Sequence, residues 1–207
     1  RCKSGINYTL SELADKGHVY AEEEQLVKSA KELLLADEEP IRNAMAEMVQ
    51  VEELKTDGDA IYLPPFYYAE VGTANRLLAL LENKATNLFA KPFNIEEISK
   101  STGIEYDEVQ IQAIKQAVDS KVMVLTGGPG TGKTTTTQGI IAALKNMGLK
   151  ILLAAPTGRA SKRMSEATGM EAKTIHRLLE TKPPEGYQRN EENPLQGDVL
   201  IVDECSM

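Results

Sequence analysis

The sequence predicts an α/β fold with a parallel sheet, preceded by a small, mainly helical domain. From about residue 93 onward, apolar strand patterns alternate with helical patterns, the order typical of a parallel sheet with crossover helices. A glycine-rich stretch at residues 127–132 joins the first of these strands to the helix that follows it. Residues 1–65 differ, because they show helical patterns first and a hairpin pattern last.

Composition and charge exclude several classes of protein. The chain has 207 residues, of which 42% are hydrophobic, and a formal net charge of −8. No apolar run reaches the roughly 18 residues that a membrane span needs, and the first ten residues lack the apolar core of a secretory signal. Two cysteines, Cys2 and Cys205, do not make a disulfide framework, so we expect a cytoplasmic protein without a membrane partner. The chain lacks an initiator Met and stops at Met207, which leads us to expect a piece of a longer protein.

Three helices are predicted in the first domain. Thr9 with Glu12 fits a capping box, and Gly17 is a natural helix stop. Residues 22–35 carry apolar side chains at helical spacing. Pro40 suits the first turn of a third helix. The apolar residues of that helix are Ile41, Met45 and Met48.

A hairpin follows the third helix. Asp57-Gly58, the commonest two-residue turn signal, separates residues 51–55 from residues 60–63. Three helices and a hairpin make residues 1–65 winged-helix-like. Such a domain binds DNA in some proteins and packs against protein in others. Residues 1–100 hold 11 Lys/Arg and 18 Asp/Glu, so we favour the packing role, because a DNA-reading face is usually basic.

Residues 66–92 form the predicted connection between the two domains. Pro64-Pro65 interrupts the chain, and residues 70–82 show an amphipathic helical pattern with four leucines. Phe66, Tyr67 and Tyr68 could stack on nucleic-acid bases. We favour the alternative, in which these rings pack the connection onto a neighbouring element.

Residues 93–207 form the predicted second domain. Residues 181–198 are rich in Pro, Glu, Asn and Gly, so we expect a mobile loop before the last strand. The predicted helices are 107–120, 132–147, 159–167 and 174–180, and the predicted strands are 122–126, 150–155 and 199–203.

The glycine-rich stretch carries the strongest chemical signal. Residues 127–134, GGPGTGKT, fit the P-loop pattern G-x-x-x-x-G-K-[ST], and they stand between an apolar strand and a helix as a P-loop requires. The glycines let backbone N–H groups point at phosphate oxygens, reinforced by the helix start. Lys133 then supplies charge to the β- and γ-phosphates, and Thr134 offers its hydroxyl to Mg²⁺. A glycine-rich turn with an incidental lysine is the alternative that this context disfavours.

An acidic pair completes the predicted site. Val199–Val202 is an apolar strand, and Asp203 at its carboxyl end can hold the Mg²⁺ shell. Glu204 can polarise an attacking water, which indicates an NTP hydrolase rather than a kinase. There is no LSGGQ-type signature of transporter ATPases, and Asn83-Lys84-Ala85-Thr86 fails the guanine-reading pattern at its last position. An ATPase of the AAA or helicase kind remains.

Four motifs occur in order along the second domain: GGPGTGKTTT at 127–136, APTGRA at 155–160, TIHRLL at 174–179 and DECSM at 203–207. They resemble the successive motifs of superfamily 1 DNA helicases, and most closely those of the RecD-like group. Asn193-Pro194-Leu195 and the helical region before residue 65 are also similar to that group. Cys205 departs from it, since the family more often has Ala there.

The resemblance implies a RecA-like motor domain, of which this chain holds only the first part. It implies ATP hydrolysis with Mg²⁺, coupled to 5′-to-3′ translocation on single-stranded DNA in repair or recombination, with duplex ends or forks as substrates. Without the second motor domain, we expect the segment to bind nucleotide weakly and to unwind nothing. The implied nucleotide contacts are Gly128, Pro129, Gly130, Thr131, Gly132, Lys133, Thr134 and Thr135.

The same resemblance assigns further roles. Gln110 is similar to the glutamine that reads the adenine edge, with a solvated helix residue as the alternative. His176 is similar to a histidine that approaches DNA, with a core hydrogen-bonding role as the alternative. Arg159, Lys162 and Arg163 would extend the DNA track, with solvated helix residues as the alternative. They lie within residues 145–182, which hold eight basic and three acidic residues. The implied DNA contacts are Pro156, Thr157, Gly158, Arg159, Thr174 and His176.

Two other functions stay open from the sequence. One is an AAA-type ATPase that remodels protein, and the other is a DNA-binding adaptor with a non-hydrolysing nucleotide site. Lys133, Thr134, Asp203 and Glu204 are all present, which disfavours the adaptor. Nuclease activity is not supported, because no metal-binding carboxylate cluster exists beyond Asp203-Glu204.

Overall fold

The computed structural model describes residues 1–82 and 94–206. The chain divides into two compact units, Arg1–Glu82 and Asn83–Met207. The predicted end of the connection at residue 92 and the start of the second domain at Phe93 lie outside the described residues, as do Asn83–Thr86 and Met207. None of the helices in the described ranges is long and apolar enough to cross a membrane.

The first unit has the winged-helix layout that the sequence predicts. Its strands form one antiparallel sheet in the order β1-β3-β2. The short β1 was not predicted, and β2 lies at 55–57, whereas the predicted strand was 51–55. The three predicted apolar residues of the third helix are buried, together with Ile6 and Leu26 from the other two helices. In chain order the elements are α1 Cys2–Asp15, β1 Ala21–Glu22, α2 Glu23–Leu34, α3 Glu38–Gln50, β2 Lys55–Asp57, β3 Ala60–Tyr62 and α4 Pro64–Glu82.

Two local predictions in this unit are wrong. Thr9 does not cap a helix, because α1 already begins at Cys2; Thr9 is buried and donates its hydroxyl to the Gly5 carbonyl at 2.9 Å. The hairpin turn is displaced by one residue, since Asp57 pairs with Ala60. The turn residues are therefore 58 and 59, with Gly58 at φ +56°, a conformation that glycine adopts without steric cost.

Tyr67 at the start of α4 packs against the hairpin. The Tyr67 ring lies 5.5 Å from the Tyr62 ring of β3, which in turn lies 5.4 Å from Tyr20. Such ring pairs are stabilising at this spacing. The packing interpretation is confirmed for Tyr67, whereas Tyr68 is 57% exposed. The helix begins earlier than predicted, because Pro64 fits a first helical turn.

The second unit is α/β, as the sequence predicts. Its sheet has the order β5-β4-β8, and both pairs are parallel. Ile114 of α6, Ile141 of α7 and Leu153 of β4 lie in one buried cluster with Met164 of α8. In chain order the elements are α5 Ile95–Thr102, α6 Glu108–Asp119, α7 Lys133–Asn146, β4 Ile151–Ala155, α8 Gly158–Thr168, β5 Ala172–Thr174, α9 Ile175–Leu178, β6 Thr181–Lys182, β7 Gly186–Tyr187 and β8 Val199–Val202.

The two apolar strands next to the predicted site differ from expectation. Residues 122–126 do not join a sheet, and Val124 is 83% exposed. β8 forms but is not fully buried, since Leu200 is 47% exposed. A strand needs a neighbour for its backbone groups, and within the described ranges β8 pairs with β4 alone while residues 122–126 pair with nothing.

The predicted loop at 181–198 contains regular structure. β6 and β7 pair as a short antiparallel hairpin. Arg189 donates to Glu180 at 2.7 Å and to Asn193 at 3.1 Å, which ties the segment after the hairpin to the end of α9. Composition alone did not predict these side-chain bonds.

Candidate nucleotide site and nucleic-acid edge

The glycine-rich loop is tied together by its own polar groups. Lys133 Nζ donates to the carbonyl oxygens of Gly127 and Gly128, at 2.5 and 2.7 Å. Thr131 Oγ1 donates to the same Gly128 carbonyl at 2.9 Å. Gly130 has φ +75°, a conformation that L side chains rarely adopt. The loop is therefore a tight turn with the lysine ammonium bonded across it.

The loop ends at the start of α7, where backbone donors are free. Gly132 is the N-cap at φ +79°, and it provides no side-chain bond to the helix. The first N–H bonded back to the cap is that of Thr136, at 2.9 Å from the Gly132 carbonyl oxygen. The N–H groups of the preceding turn have no intrahelical acceptor and carry the positive end of the helix dipole. A phosphate group suits this position.

Gln110 lies directly against this loop. A Cβ built on Gly132 would stand 2.6 Å from Gln110 Nε2, so the two residues are in contact. Gln110 also belongs to a capping box at the start of α6: it accepts from the Asp107 N–H at 3.1 Å, and its own N–H donates to Asp107 Oδ1 at 2.8 Å. The Gln110 side chain is half-buried and makes one hydrogen bond, through its oxygen, within this capping box.

The acidic pair follows β8 on a bent backbone. The Asp203 N–H donates to the Ala154 carbonyl at 3.0 Å, which continues the β8–β4 ladder by one bond. Asp203 Oδ1 accepts from the Glu204 N–H at 3.0 Å. Glu204 has φ +57°, an unusual value for a non-glycine residue, and such values concentrate at functional sites. Both side chains are exposed.

The parallel sheet brings three predicted segments to one edge. Ala155 of β4 pairs with Thr174 of β5, and Ala154 of β4 pairs with Val202 of β8. The carboxyl ends of parallel strands meet at the same edge of a sheet, where ligands usually bind in α/β proteins. The loop at 156–159, the Thr174–His176 segment and the acidic pair therefore lie along one edge.

Two threonines of this edge cap the helices that leave it. Thr157 Oγ1 accepts from the Ala160 N–H at 3.2 Å and begins α8. Thr174 Oγ1 accepts from the Arg177 N–H at 3.2 Å and begins α9. Their side chains are thus already used within the fold, whereas Arg159 is exposed.

His176 lies on the surface and not in the core. Its side chain is exposed, and its ring centroid lies 6.2 Å from that of Tyr187 in β7. The alternative reading as a core hydrogen-bonding residue is therefore wrong. Tyr187, itself 50% exposed, was not singled out in the sequence, and no local pattern could have placed it beside His176.

The P-loop and the acidic pair are not bonded to each other in the described structure. No hydrogen bond or ion pair between residues 127–137 and Asp203 or Glu204 occurs in the ranges described. No cluster of three or more His, Cys, Asp or Glu side chains occurs there either. Mg²⁺ binds in many nucleotide sites through one or two protein oxygens together with substrate phosphates. Thr134 and Asp203, both exposed oxygen donors, suit that role.

Asp107 is a residue of this site that sequence reasoning did not single out. It orients the Gln110 side chain by occupying its carbonyl oxygen, so that the amide nitrogen is the end nearest Gly132. The spacing Asp-x-x-Gln before an apolar helix could have revealed the pair, because it is a capping-box pattern.

A glycine-rich loop at a helix start, with an acidic pair at the end of a parallel strand, defines a P-loop nucleotide-binding protein. A family described as an AAA domain matches residues 110–207. The chain is also similar to named DNA helicases, and on these matches it belongs to the RecD-like helicases of superfamily 1.

Three relatives illustrate the similarity. The ATP-dependent RecD2 DNA helicase of Deinococcus radiodurans is 37% identical over 75% of this chain and 21% of its own length. The RecBCD enzyme subunit RecD of Mycolicibacterium smegmatis is 34% identical over 74% of this chain and 31% of its own length. The ATP-dependent DNA helicase dda of Enterobacteria phage T4 is 44% identical over 48% of this chain and 24% of its own length. The chain thus spans between a fifth and a third of each relative.

Proposed function

We propose that this chain is the nucleotide-hydrolysing segment of an ATP-dependent DNA helicase. The observation that carries the proposal is the sheet edge, where Asp203-Glu204 and two helix-capping loops lie side by side on the carboxyl ends of β8, β4 and β5. The arrangement fits ATP hydrolysis next to a DNA-binding surface. Relatives that are named DNA helicases support it.

The residues that bind ATP are assigned from the backbone N–H groups without an intrahelical acceptor at the start of α7. Backbone N–H groups at the start of α7 bind the phosphates, and Lys133 leaves the loop carbonyls to contact the β- and γ-phosphates. Thr134 and Asp203 hold Mg²⁺, which offsets the charge of the phosphates when it is bound. Glu204 accepts a proton from the attacking water. Gln110 reads the adenine, and the remaining contacts are Gly128, Pro129, Gly130, Thr131, Gly132 and Thr135.

The DNA-binding roles belong to the loops at the sheet edge. The backbone N–H groups of residues 157–159, at the start of α8, contact the phosphates of single-stranded DNA, and Pro156 lies directly before them. Arg159 adds charge, and His176 with Tyr187 offers ring faces on which a base can stack. Movement from 5′ to 3′ along the strand, and action on duplex ends or forks in DNA repair, extend this proposal to the whole protein.

The two domains divide these tasks. Residues 93–207 belong to the first motor domain, residues 66–92 connect it, and residues 1–65 are a packing module. In that module Arg42 bonds Glu23 and Glu24 at 2.9 and 2.8 Å, and Lys3 bonds Glu47 at 2.8 Å. Cations that are already paired with carboxylates are poor phosphate ligands, which favours packing over DNA binding.

ATP turnover by the full-length protein, with and without single-stranded DNA, tests the proposal. We expect several-fold stimulation by an oligothymidine and none by an unfolded protein substrate. Stimulation by protein but not by DNA would favour the AAA-type remodelling ATPase. DNA binding without any turnover would favour the adaptor with a non-hydrolysing site.

A further inference from the structure

Helices α7 and α8 each begin at one of the two proposed ligand loops. α7 begins at Lys133, within the P-loop motif, and α8 begins at Gly158, within the proposed DNA-binding segment 156–159. An α-helix is stiff over this length, so a displacement at its start is carried to its end. A contact between α7 and α8 therefore links the positions of the two ligand loops. This inference rests on the function proposed above.

Gln138 makes that connection at the far end of α8. Its Nε2 donates to the Ala167 carbonyl at 2.5 Å, across 29 residues of sequence, and the bond is partly buried. The last carbonyls of a helix have no intrahelical donor. In α8 the Ser165 carbonyl accepts from the Gly169 N–H at 2.9 Å, and the Ala167 carbonyl accepts from Gln138. A side chain of α7 thus caps α8.

The bond lies at the rim of the contact between the two helices. A surface cavity of about 310 Å³ opens beside it, lined among others by Thr102, Gln138, Lys145 and Thr168. On the core side, Met164 of α8 and Ile141 of α7 lie in the same buried cluster. α7 itself is fixed, because Gly139 packs directly against Ile114 and Tyr106.

We propose that Gln138 is a positioning residue that couples nucleotide binding to DNA binding. The Gln138 side chain contacts neither ligand. It holds the end of α8 against α7, so that a shift of one helix on ligand binding also shifts the other helix and its ligand loop. Coupling of this kind is reciprocal: nucleotide changes the affinity for DNA by the same factor by which DNA changes the affinity for nucleotide.

The test is Gln138→Met in the full-length protein, which keeps the length of the side chain and removes its donor. The Kd for an oligothymidine is measured with and without a non-hydrolysable ATP analogue, and the Kd for the analogue with and without the oligothymidine. Loss of one hydrogen bond predicts that the coupling factor falls about fivefold in both directions, with basal ATP turnover unchanged. Gln138→Lys retains a side-chain donor, so its coupling factor should lie between those of Gln138→Met and the wild-type protein.

Thr168→Val is the matched control at the same helix end. Thr168 Oγ1 donates to the Met164 carbonyl at 2.7 Å, a bond within α8 that does not reach α7. It should lower the free energy of unfolding without changing the coupling factor. Equal effects of the two variants on coupling, or an unchanged factor in Gln138→Met, overturn the inference. If single-stranded DNA does not change the rate of ATP turnover by the wild-type protein, the proposed function itself is wrong.

Discussion

Glu204 combines an exposed carboxylate with a left-handed backbone at φ +57°. The Glu204→Gln variant keeps the shape of the side chain but cannot accept the proton of the attacking water. We predict that ATP turnover of the full-length protein falls by about 100-fold or more, with the Kd for nucleotide nearly unchanged. Steady-state turnover and equilibrium binding measure the two effects. Glu185→Gln, an exposed carboxylate in the β6–β7 turn, serves as control and should turn over normally.

Tyr62 gives the first unit a measurable response at high pH. Burial, with a hydrogen bond to Glu70, raises the pKa of Tyr62 to about 12, from an ordinary value of about 10. Because the folded pKa lies above the unfolded one, the contribution of Tyr62 to stability is complete below about pH 10 and is lost as the pH rises toward 12.

A pH titration followed by tyrosinate absorbance checks this prediction. The chain has 7 Tyr and no Trp, so the signal comes from tyrosine alone. Tyr62→Phe should remove the component that titrates near pH 12 and flatten the loss of stability above pH 10. A titration of wild type in which all tyrosines ionise near pH 10 while the protein is folded would contradict the assignment.

The sequence predicted the position of a residue in the fold well where a single motif contains both the residue and the element next to it. The positions of Lys133 at a helix start and Asp203 at a strand end are of this kind, because the loop, strand and helix are contiguous in sequence. Tyr187 beside His176 and Gln138 on Ala167 depend on contacts between distant segments. No spacing rule along the chain reports such contacts.

Gly139 allows α6 and α7 to approach each other closely. A Cβ at this position would collide with Ile114 Cδ1 and press on the Tyr106 ring. We predict that Gly139→Ala lowers the free energy of unfolding by about 1–3 kcal/mol, since overpacking strains a filled core. Thermal or denaturant unfolding of the chain measures the change.

Gly72 offers a matched control in another helix. It lies inside α4, and a Cβ there meets no atom within 4 Å. Gly72→Ala should be neutral or stabilise by up to about 1 kcal/mol, because alanine is the better helix former. If both alanines change the unfolding midpoint alike, the close packing of α6 on α7 is not what makes Gly139 necessary.

Helices were predicted more reliably than strands, and the reason is physical. A helix such as α6 satisfies its backbone within its own residues, so the periodicity of its apolar residues suffices to locate it. Residues 122–126 have the apolar pattern of a strand but no partner strand in the described ranges, and they form no ladder. Strand formation depends on a neighbour that local sequence does not reveal.

For the whole molecule, the net charge of −8 conceals an uneven distribution. Most of the acidic excess lies in residues 1–100, whereas residues 145–182 carry eight basic residues and three acidic ones. Contact between this basic segment and DNA phosphates predicts an affinity that falls steeply with salt, since bound phosphates release their counterions. The overall acidity of the chain is therefore compatible with a DNA motor.

Duplex unwinding by the full-length protein is the direct test of helicase function. The substrate is a short duplex with a single-stranded 5′ tail, and a 3′-tailed duplex of the same sequence is the comparison. We predict ATP- and Mg²⁺-dependent strand separation of the 5′-tailed duplex, little with the 3′ tail, and none with Lys133→Ala. Failure to separate either duplex, or separation that persists in Lys133→Ala, would contradict the account.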